Sequence, residues 1–214
     1  IGSSLGLCNF LKQKGHQVQV VMPNDFPEFL KWIPEASTII NYEQNFEETK
    51  TAIQKAEIIS TLDFNALNRT GGLATELEQA AADFILIDHH QQPDDYALVT
   101  YSDVAMCSTS EMVFHFMEKL EGIKLLNKEI ATQLYVGIMT DTGSFRFQTT
   151  TATTHRVIAD LMEAGAENAS IHENVYDTNS PDRLKLLGIA LNNMVMFPEF
   201  RTAYITISQN ELND

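Results

Sequence analysis

Apolar positions recur along this chain with two different periods, and the switching between them sets the fold class. The opening "IGSSLGLCNFLKQKG" places Leu5, Leu7 or Cys8, and Leu11 at helical spacing and closes on Gly15. That spacing predicts a helix over about residues 3–14, with Gly2, Ser3 and Ser4 in its first turn. A β-branched run, "VQVVM", follows as a strand and is broken by Pro23, Asn24, Asp25 and Pro27. Next come an amphipathic helix, "NFEETKTAIQKA", and a strand, "EIISTLD", that ends on Asp63. A helix, "LATELEQAAA", leads to "DFILID", a short apolar run that reads as a buried strand ending on Asp88, and "ALVTY" adds another strand. "TSEMVFHFMEKLEG" reads as a helix capped by Ser108 or Thr109, and "NKEIATQLYVGIMTDTG" as one that starts near Asn127 and ends between Asp141 and Gly143. Three more helical segments follow: "ATTHRVIADLMEAGA", "NASIHENVYD" and "SPDRLKLLGIALNNM". The last has Ser180 as a cap and Pro181 at the first helical position, where a missing N–H costs nothing.

Strands alternating with helices predict an α/β fold: a mostly parallel sheet flanked by helices, then a helical segment and the start of a second lobe. The boundary candidate is Phe197-Pro198, which gives a main domain over 1–197 and a linker with a first strand, "RTAYITIS", over 198–214. No internal repeat, low-complexity tract or Gly/Ser-rich linker interrupts the pattern. The 214 residues suffice for one large domain, or one domain and a fragment of another. No apolar stretch approaches the roughly 18 residues of a membrane span, so no membrane partner is expected. The opening residues lack a signal-peptide pattern. Cys8 and Cys107 have no metal-type spacing partners, which points to free thiols in a reducing compartment and a cytoplasmic protein.

Charge narrows the partners. A net charge of −15 repels long polyanions, so long duplex nucleic acid is excluded as a partner. A short phosphate-bearing ligand remains compatible, because a bound cation or a few arginines can reverse the field locally. Part of the negative charge can itself be metal ligands.

Ligands of open α/β sheets bind beyond the carboxyl ends of the strands. Asp63 and Asp88 stand at two such ends, His89 and His90 follow directly, and Asp141 closes an apolar helix just before Gly143. Carboxylate oxygens with imidazole nitrogens suit Mn²⁺, and Mg²⁺ or Zn²⁺ less specifically. Taken singly, an aspartate after a strand is more often a turn former or a helix cap. The His-His pair after a buried strand is rarer, and the combination carries more weight than its parts.

These residues resemble the DHH phosphoesterases. "LDFN" with Asp63 resembles that family's second motif, "IDHH" with Asp88, His89 and His90 the third, and "TDTGSFRF" with Asp141 the fourth. The family's first motif, His-x-x-x-Asp-x-Asp, normally runs into a helix start of the kind seen here in "IGSSLGL", and is not in the sequence. Within the family, "MPNDFPEFLKWIPEA", "LDFNALNRTGGL" and "TGSFRFQTTTATTHRVIADLMEAGA" resemble the oligoribonuclease/pAp phosphatase (nanoRNase) type.

The resemblance implies a lobe that holds two Mn²⁺ ions, with Mg²⁺ or Co²⁺ as possible substitutes, and a smaller nucleotide-gripping lobe of which only the first strand is expected here. It implies that Asp63 bridges the ions, that His89 and Asp141 ligate one of them, and that His90 meets the substrate phosphate. Asp88 would orient a histidine. The expected reaction is two-metal hydrolysis of short oligoribonucleotides and 3′-phosphoadenosine 5′-phosphate, and three ligands are too few for two ions, so the fragment itself is expected to be inactive. Arg146 and Asn65 are candidate substrate contacts, Arg146 also a catalytic one. Ser3 joins them because free N–H groups at a helix start favour anions; the plain alternatives are an exposed arginine and a capping serine. Arg69 is placed near the site. His16, His115, His155 and His172 read as structural, and Met194 and Met196 as core or interlobe packing. A homodimer is a further expectation. The competing readings are a cyclic-dinucleotide phosphodiesterase, a RecJ-like single-strand exonuclease, which the charge disfavours, and a non-catalytic nucleotide-binding module. The sequence upstream of Ile1 separates the last from the enzymes.

Overall fold

The computed structural model describes residues 1–213, which divide into two compact units, Ile1–Ile171 and the segment from His172 onward. The boundary expected at Phe197-Pro198 lies within the second unit.

In the first unit, β1 (Val21–Met22) pairs in parallel with β2 (Ile40–Asn41). A second parallel sheet has the order β3 (Ile58–Leu62), β4 (Asp83–Asp88), β5 (Val99–Ser102). The parallel, helix-flanked architecture is as expected, but the strands form two short sheets, and the sequence pattern gives no sign of β2. Register positions the chemistry. Leu62 lies opposite Ile87, so Asp63 and Asp88 leave the sheet at the same rim.

Around the strands lie α1 (Gly2–Gln13), α2 (Phe46–Lys55), α3 (Leu73–Glu78), α4 (Thr109–Lys119), α5 (Lys128–Asp141) and α6 (Ala152–Glu163). Ile53 of α2 and Leu73 and Leu77 of α3 cluster on Phe84 of β4, whose ring meets Tyr96 edge-on at 5.6 Å. A larger core forms where α1, α4 and α5 pack together, from Leu5 and Phe10, from Met112, Phe114 and Met117, and from Ile130, Leu134, Ile138 and Met139. Each such buried side chain is worth roughly 1.5–3 kcal/mol over leaving it in water, so the helical layer supplies more of the burial than the short strands do.

Small residues let these helices approach. A Cβ on Gly137 of α5 would stand 1.9 Å from Ser110 Oγ of α4, and one on Gly2 of α1 would stand 2.3 Å from the Gln133 carbonyl oxygen. The first turn of α4 is thereby seated against α5, near the end that carries Asp141. Gly137→Ala is expected to lower stability by about 1–3 kcal/mol through overpacking, read as a lower urea midpoint. An unchanged midpoint would show that the two helices slide apart at no cost.

The second unit begins in α7 (Asn168–His172), which runs into a π-helical turn over Glu173–Asp177. It continues with α8 (Pro181–Asn192), β6 (Val195–Phe197), β7 (Thr202–Tyr204) and α9 (Gln209–Asn213). Ser180 caps α8 by accepting from the Arg183 N–H at 3.1 Å. β6 and β7 are antiparallel, with Phe197 stacked on Tyr204 at 5.9 Å. β6 lies just past a segment read only as helical, and β7 covers only part of the expected "RTAYITIS". Met194 and Met196, expected to pack, are 37% and 67% exposed. Leu184, Leu187 and Leu191 form one exposed stripe on α8, and Val175 is the only buried hydrophobic residue among the described residues of this unit. No described helix is long and apolar enough to cross a membrane.

Candidate metal centre

β3 and β4 end side by side, and the residues that follow them meet. Asp63 has φ +69°, in the left-handed region. That conformation costs a non-glycine residue on the order of 1–3 kcal/mol, and aspartate tolerates it better than most. Its N–H still bonds to the Ile87 carbonyl at 3.2 Å, so the bend begins on the last rung of the ladder. Asp63 Oδ1 accepts from Thr109 Oγ1 at 2.8 Å and lies 3.5 Å from His89 Nε2, an ion-pair distance rather than a good hydrogen bond. Burial pushes the Asp63 carboxyl up, but contacts with His89 and Thr109 outweigh it and leave it below the usual range. Asp63 pushes His89 up to about 9; burial opposes this, and the Met106 carbonyl, 3.2 Å from Nδ1, reinforces it.

His90 Nδ1 sits 2.7 Å from Asp88 Oδ1. Asp88 is fully buried, and its Oδ2 has no hydrogen-bond partner. The rings of His89 and His90 lie 4.7 Å apart. One ligand atom each from Asp63, His89 and His90 falls within 4.8 Å of the others.

Asp141 ends α5 and stands outside that trio, although it shares a cavity of about 130 Å³ with Asp63, Ser3 and Thr109. Its carboxyl is pushed up to about 6, first by burial and then by the charge of Asp63, with His89 offsetting part. Water reaches both carboxylates at the mouth of the cavity, although protein surrounds most of each. Like charges in one hollow repel, and a divalent cation is the counter-charge that reconciles them. A carboxylate and an imidazole, with a second imidazole and a second acid close by, make a donor set that fits such a cation.

The remaining candidates have structural partners or lie at the margin. Asn65 Nδ2 donates to the Gln91 carbonyl at 2.5 Å, and its Oδ1 accepts from Arg69 Nη1 at 3.1 Å, so its amide braces the segment after His90. Arg146 is exposed, and its Nε donates to the Gly143 carbonyl at 2.6 Å. It follows three residues in the left-handed region, Gly143, Ser144 and Phe145, with φ of 55°, 61° and 64°. The Phe145 ring is held against Tyr135 at 5.8 Å and His155 at 5.9 Å. Ser3 is buried in the cavity wall. His115 bonds to Glu118 at 2.6 Å, away from the trio.

Sequence reasoning misses two contributors, Thr109 and the Met106 carbonyl. Ser108, not Thr109, caps α4, accepting from the Glu111 N–H at 3.1 Å. That leaves the Thr109 hydroxyl for Asp63. The run Ser108-Thr109-Ser110 offers three equivalent capping side chains, and only the packing decides among them.

The family description "DHH family, N-terminal domain" matches residues 1–138. The chain is 30% identical over 195 residues to the bifunctional oligoribonuclease and PAP phosphatase NrnA of Thermus thermophilus, covering 91% of this chain and 55% of that protein. It is 23% identical over 157 residues to the cyclic-di-AMP phosphodiesterase PdeA of Listeria monocytogenes, covering 70% of this chain and 24% of that protein. The crystal structure of an exopolyphosphatase-related protein from Bacteroides fragilis superimposes with a TM-score of 0.97 at 36% identity, over 100% of this chain and 63% of that chain. The chain thus spans 55% of the Thermus relative's length and under two thirds of the Bacteroides structure. With a match that covers more than half of its residues, and with Asp88, His89 and His90 set at the sheet rim, the chain belongs to the DHH family of phosphoesterases.

Proposed function

We propose that the full-length protein hydrolyses phosphoester bonds in short oligoribonucleotides and in 3′-phosphoadenosine 5′-phosphate, with two Mn²⁺ ions held in part by Asp63, His89 and Asp141. The observation that carries this reading is the meeting of Asp63, His89 and His90 within 4.8 Å, from the ends of two strands. Bound there, divalent cations supply Lewis-acid polarisation of the phosphate and lower the pKa of an attacking water. The chain's own groups do the rest. Asp63 and Asp141 present carboxylate oxygens to the cations. Asp88, taking the proton side of His90 Nδ1, leaves His90 Nε2 directed by that bond. Arg146 offers a guanidinium to the anionic substrate at the rim. Mg²⁺ or Co²⁺ are the substitutes that the same donors accept.

The name of the Thermus relative supports the substrate class. The charge of −15 supports a short substrate, since a long strand needs a basic track. A second reading, hydrolysis of a cyclic dinucleotide, is favoured by the Listeria relative. Cys8 and Cys107, free and buried, support a cytoplasmic setting. The test is turnover of a panel of dinucleotides, longer oligoribonucleotides, 3′-phosphoadenosine 5′-phosphate and cyclic di-AMP by the full-length protein, with and without Mn²⁺. Linear dinucleotides and the bisphosphate should be cleaved fastest, and only with metal. Preference for the cyclic substrate would transfer the assignment to the second reading, and metal-independent turnover would reject both.

A further inference from the structure

One short segment, between β5 and the first turn of α4, touches the centre twice. The Met106 carbonyl meets His89 Nδ1 at 3.2 Å, and the Thr109 hydroxyl donates to Asp63 Oδ1 at 2.8 Å. Asp63 follows β3 and His89 follows β4, so this segment couples two ligands that come from different strands. We propose that Thr109 is a positioning residue, and that Met106 to Glu111 form a clamp that fixes the plane of the Asp63 carboxylate and which nitrogen of His89 is offered to a cation. This rests on the metal reading above and goes beyond it in assigning residues that none of the motifs contains.

The chemistry of the two contacts is directional. A backbone carbonyl only accepts, so His89 Nδ1 carries the proton in that contact and Nε2 is the nitrogen left for ligation. A hydroxyl hydrogen on Asp63 Oδ1 occupies one lone pair and fixes the plane of the carboxylate, so the remaining lone pairs of both oxygens are held in set directions. Thr109 is 1% exposed, and a β-branched side chain has few rotamers to lose, so the hydroxyl is held in place before any ligand arrives.

The clamp has a rigid base. Glu111, 2% exposed, accepts at Oε2 from Cys107 Sγ at 2.8 Å and from Thr154 Oγ1 at 3.1 Å, while its N–H bonds to Ser108 Oγ. Burial, with Glu111 adding to it, pushes the Cys107 thiol up to about 12, so it remains a donor to that carboxylate. Ser110 is seated on Gly137 of α5. The segment is therefore tied to α5 and α6, and its two contacts with the centre share one foundation.

The test uses the full-length protein with Thr109→Val, which keeps the shape and removes the hydroxyl, and Thr109→Ser, which keeps the hydroxyl. Mn²⁺ affinity is read from the paramagnetic resonance of the free ion, and metal-free crystal structures of all three forms give the position of the Asp63 carboxylate. Thr109→Val should weaken Mn²⁺ binding about 10–100-fold, the usual loss when a ligand's orienting partner is removed, and Thr109→Ser should stay within about threefold of the parent. The Asp63 carboxylate should turn in the metal-free valine variant and hold still in the serine variant. Parent-like affinity in Thr109→Val, or equal losses in both variants, would overturn the proposal. If the parent binds no Mn²⁺, the metal reading fails, and the metal-free structures then decide the clamp: a carboxylate unmoved in Thr109→Val removes it, and a turned one retains it.

Discussion

Asp63→Asn in the full-length protein is expected to abolish metal-dependent hydrolysis while lowering the stability of the metal-free fold only modestly, through loss of the charge that His89 and Thr109 favour. Asparagine keeps the shape of the side chain, accepts from Thr109 through its amide oxygen, and tolerates the φ of +69°. What it lacks is the charge. A cation then has one fewer carboxylate, and His89 loses the counter-charge that raises it. Metal-ion catalysis is worth several kcal/mol, and each 1.36 kcal/mol is tenfold in rate, so turnover should fall by about 10³-fold or more. Asp63→Ala should lose as much activity and more stability, because alanine also resists a positive φ. Dinucleotide turnover at saturating Mn²⁺ and urea unfolding in chelator separate the two effects. Turnover near that of the parent in Asp63→Asn would remove Asp63 from the metal centre.

The second large effect lies one strand over. Asp88→Asn and His90→Ala are each expected to lower kcat by about 10–100-fold, with a smaller change in metal occupancy, and the double variant should be no worse than the poorer single one. The pair is 2.7 Å apart and Asp88 is wholly buried, so the two act as one unit if Asp88 serves through His90. An amide at 88 either turns an N–H toward Nδ1 and reverses the histidine tautomer, or leaves a buried N–H without an acceptor. Losses that simply add in the double variant would mean that the two residues work independently.

The sequence makes the acids and histidines readable for a physical reason. Asp63 and Asp88 each terminate an apolar run, and parallel pairing of Leu62 with Ile87 is enough to bring both to one rim. The long helices α1, α4 and α5 announce themselves by period and by caps such as Asn127, which accepts from the Ile130 N–H at 2.9 Å. β2 has two residues and β6 three, too short to show any period, whereas the two residues of β1 fall within the expected strand "VQVVM". Met106 contributes a carbonyl that every residue possesses, so no side-chain pattern can mark it. Thr109 is hidden by the neighbouring serines, which make equally good caps. Asp63 occupies a backbone conformation that its residue type permits but does not announce. The division after Ile171 arises from packing, whereas the sequence places its boundary by proline and a change of pattern.

The corner at Gly143, Ser144 and Phe145 winds against the natural hand of an L-amino-acid chain. Each non-glycine residue there carries about 1–2 kcal/mol of steric load, so the corner stays wound only because the Phe145 ring packs on Tyr135 and His155 and because the Phe145 and Arg146 N–H groups bond to Thr142. Arg146 stands directly after that corner, tied back to it through its backbone N–H and its Nε. The direction of Arg146 is thus set in part by the half-buried ring of Phe145, and loosening that ring would let the guanidinium shift with every acid and imidazole still in place.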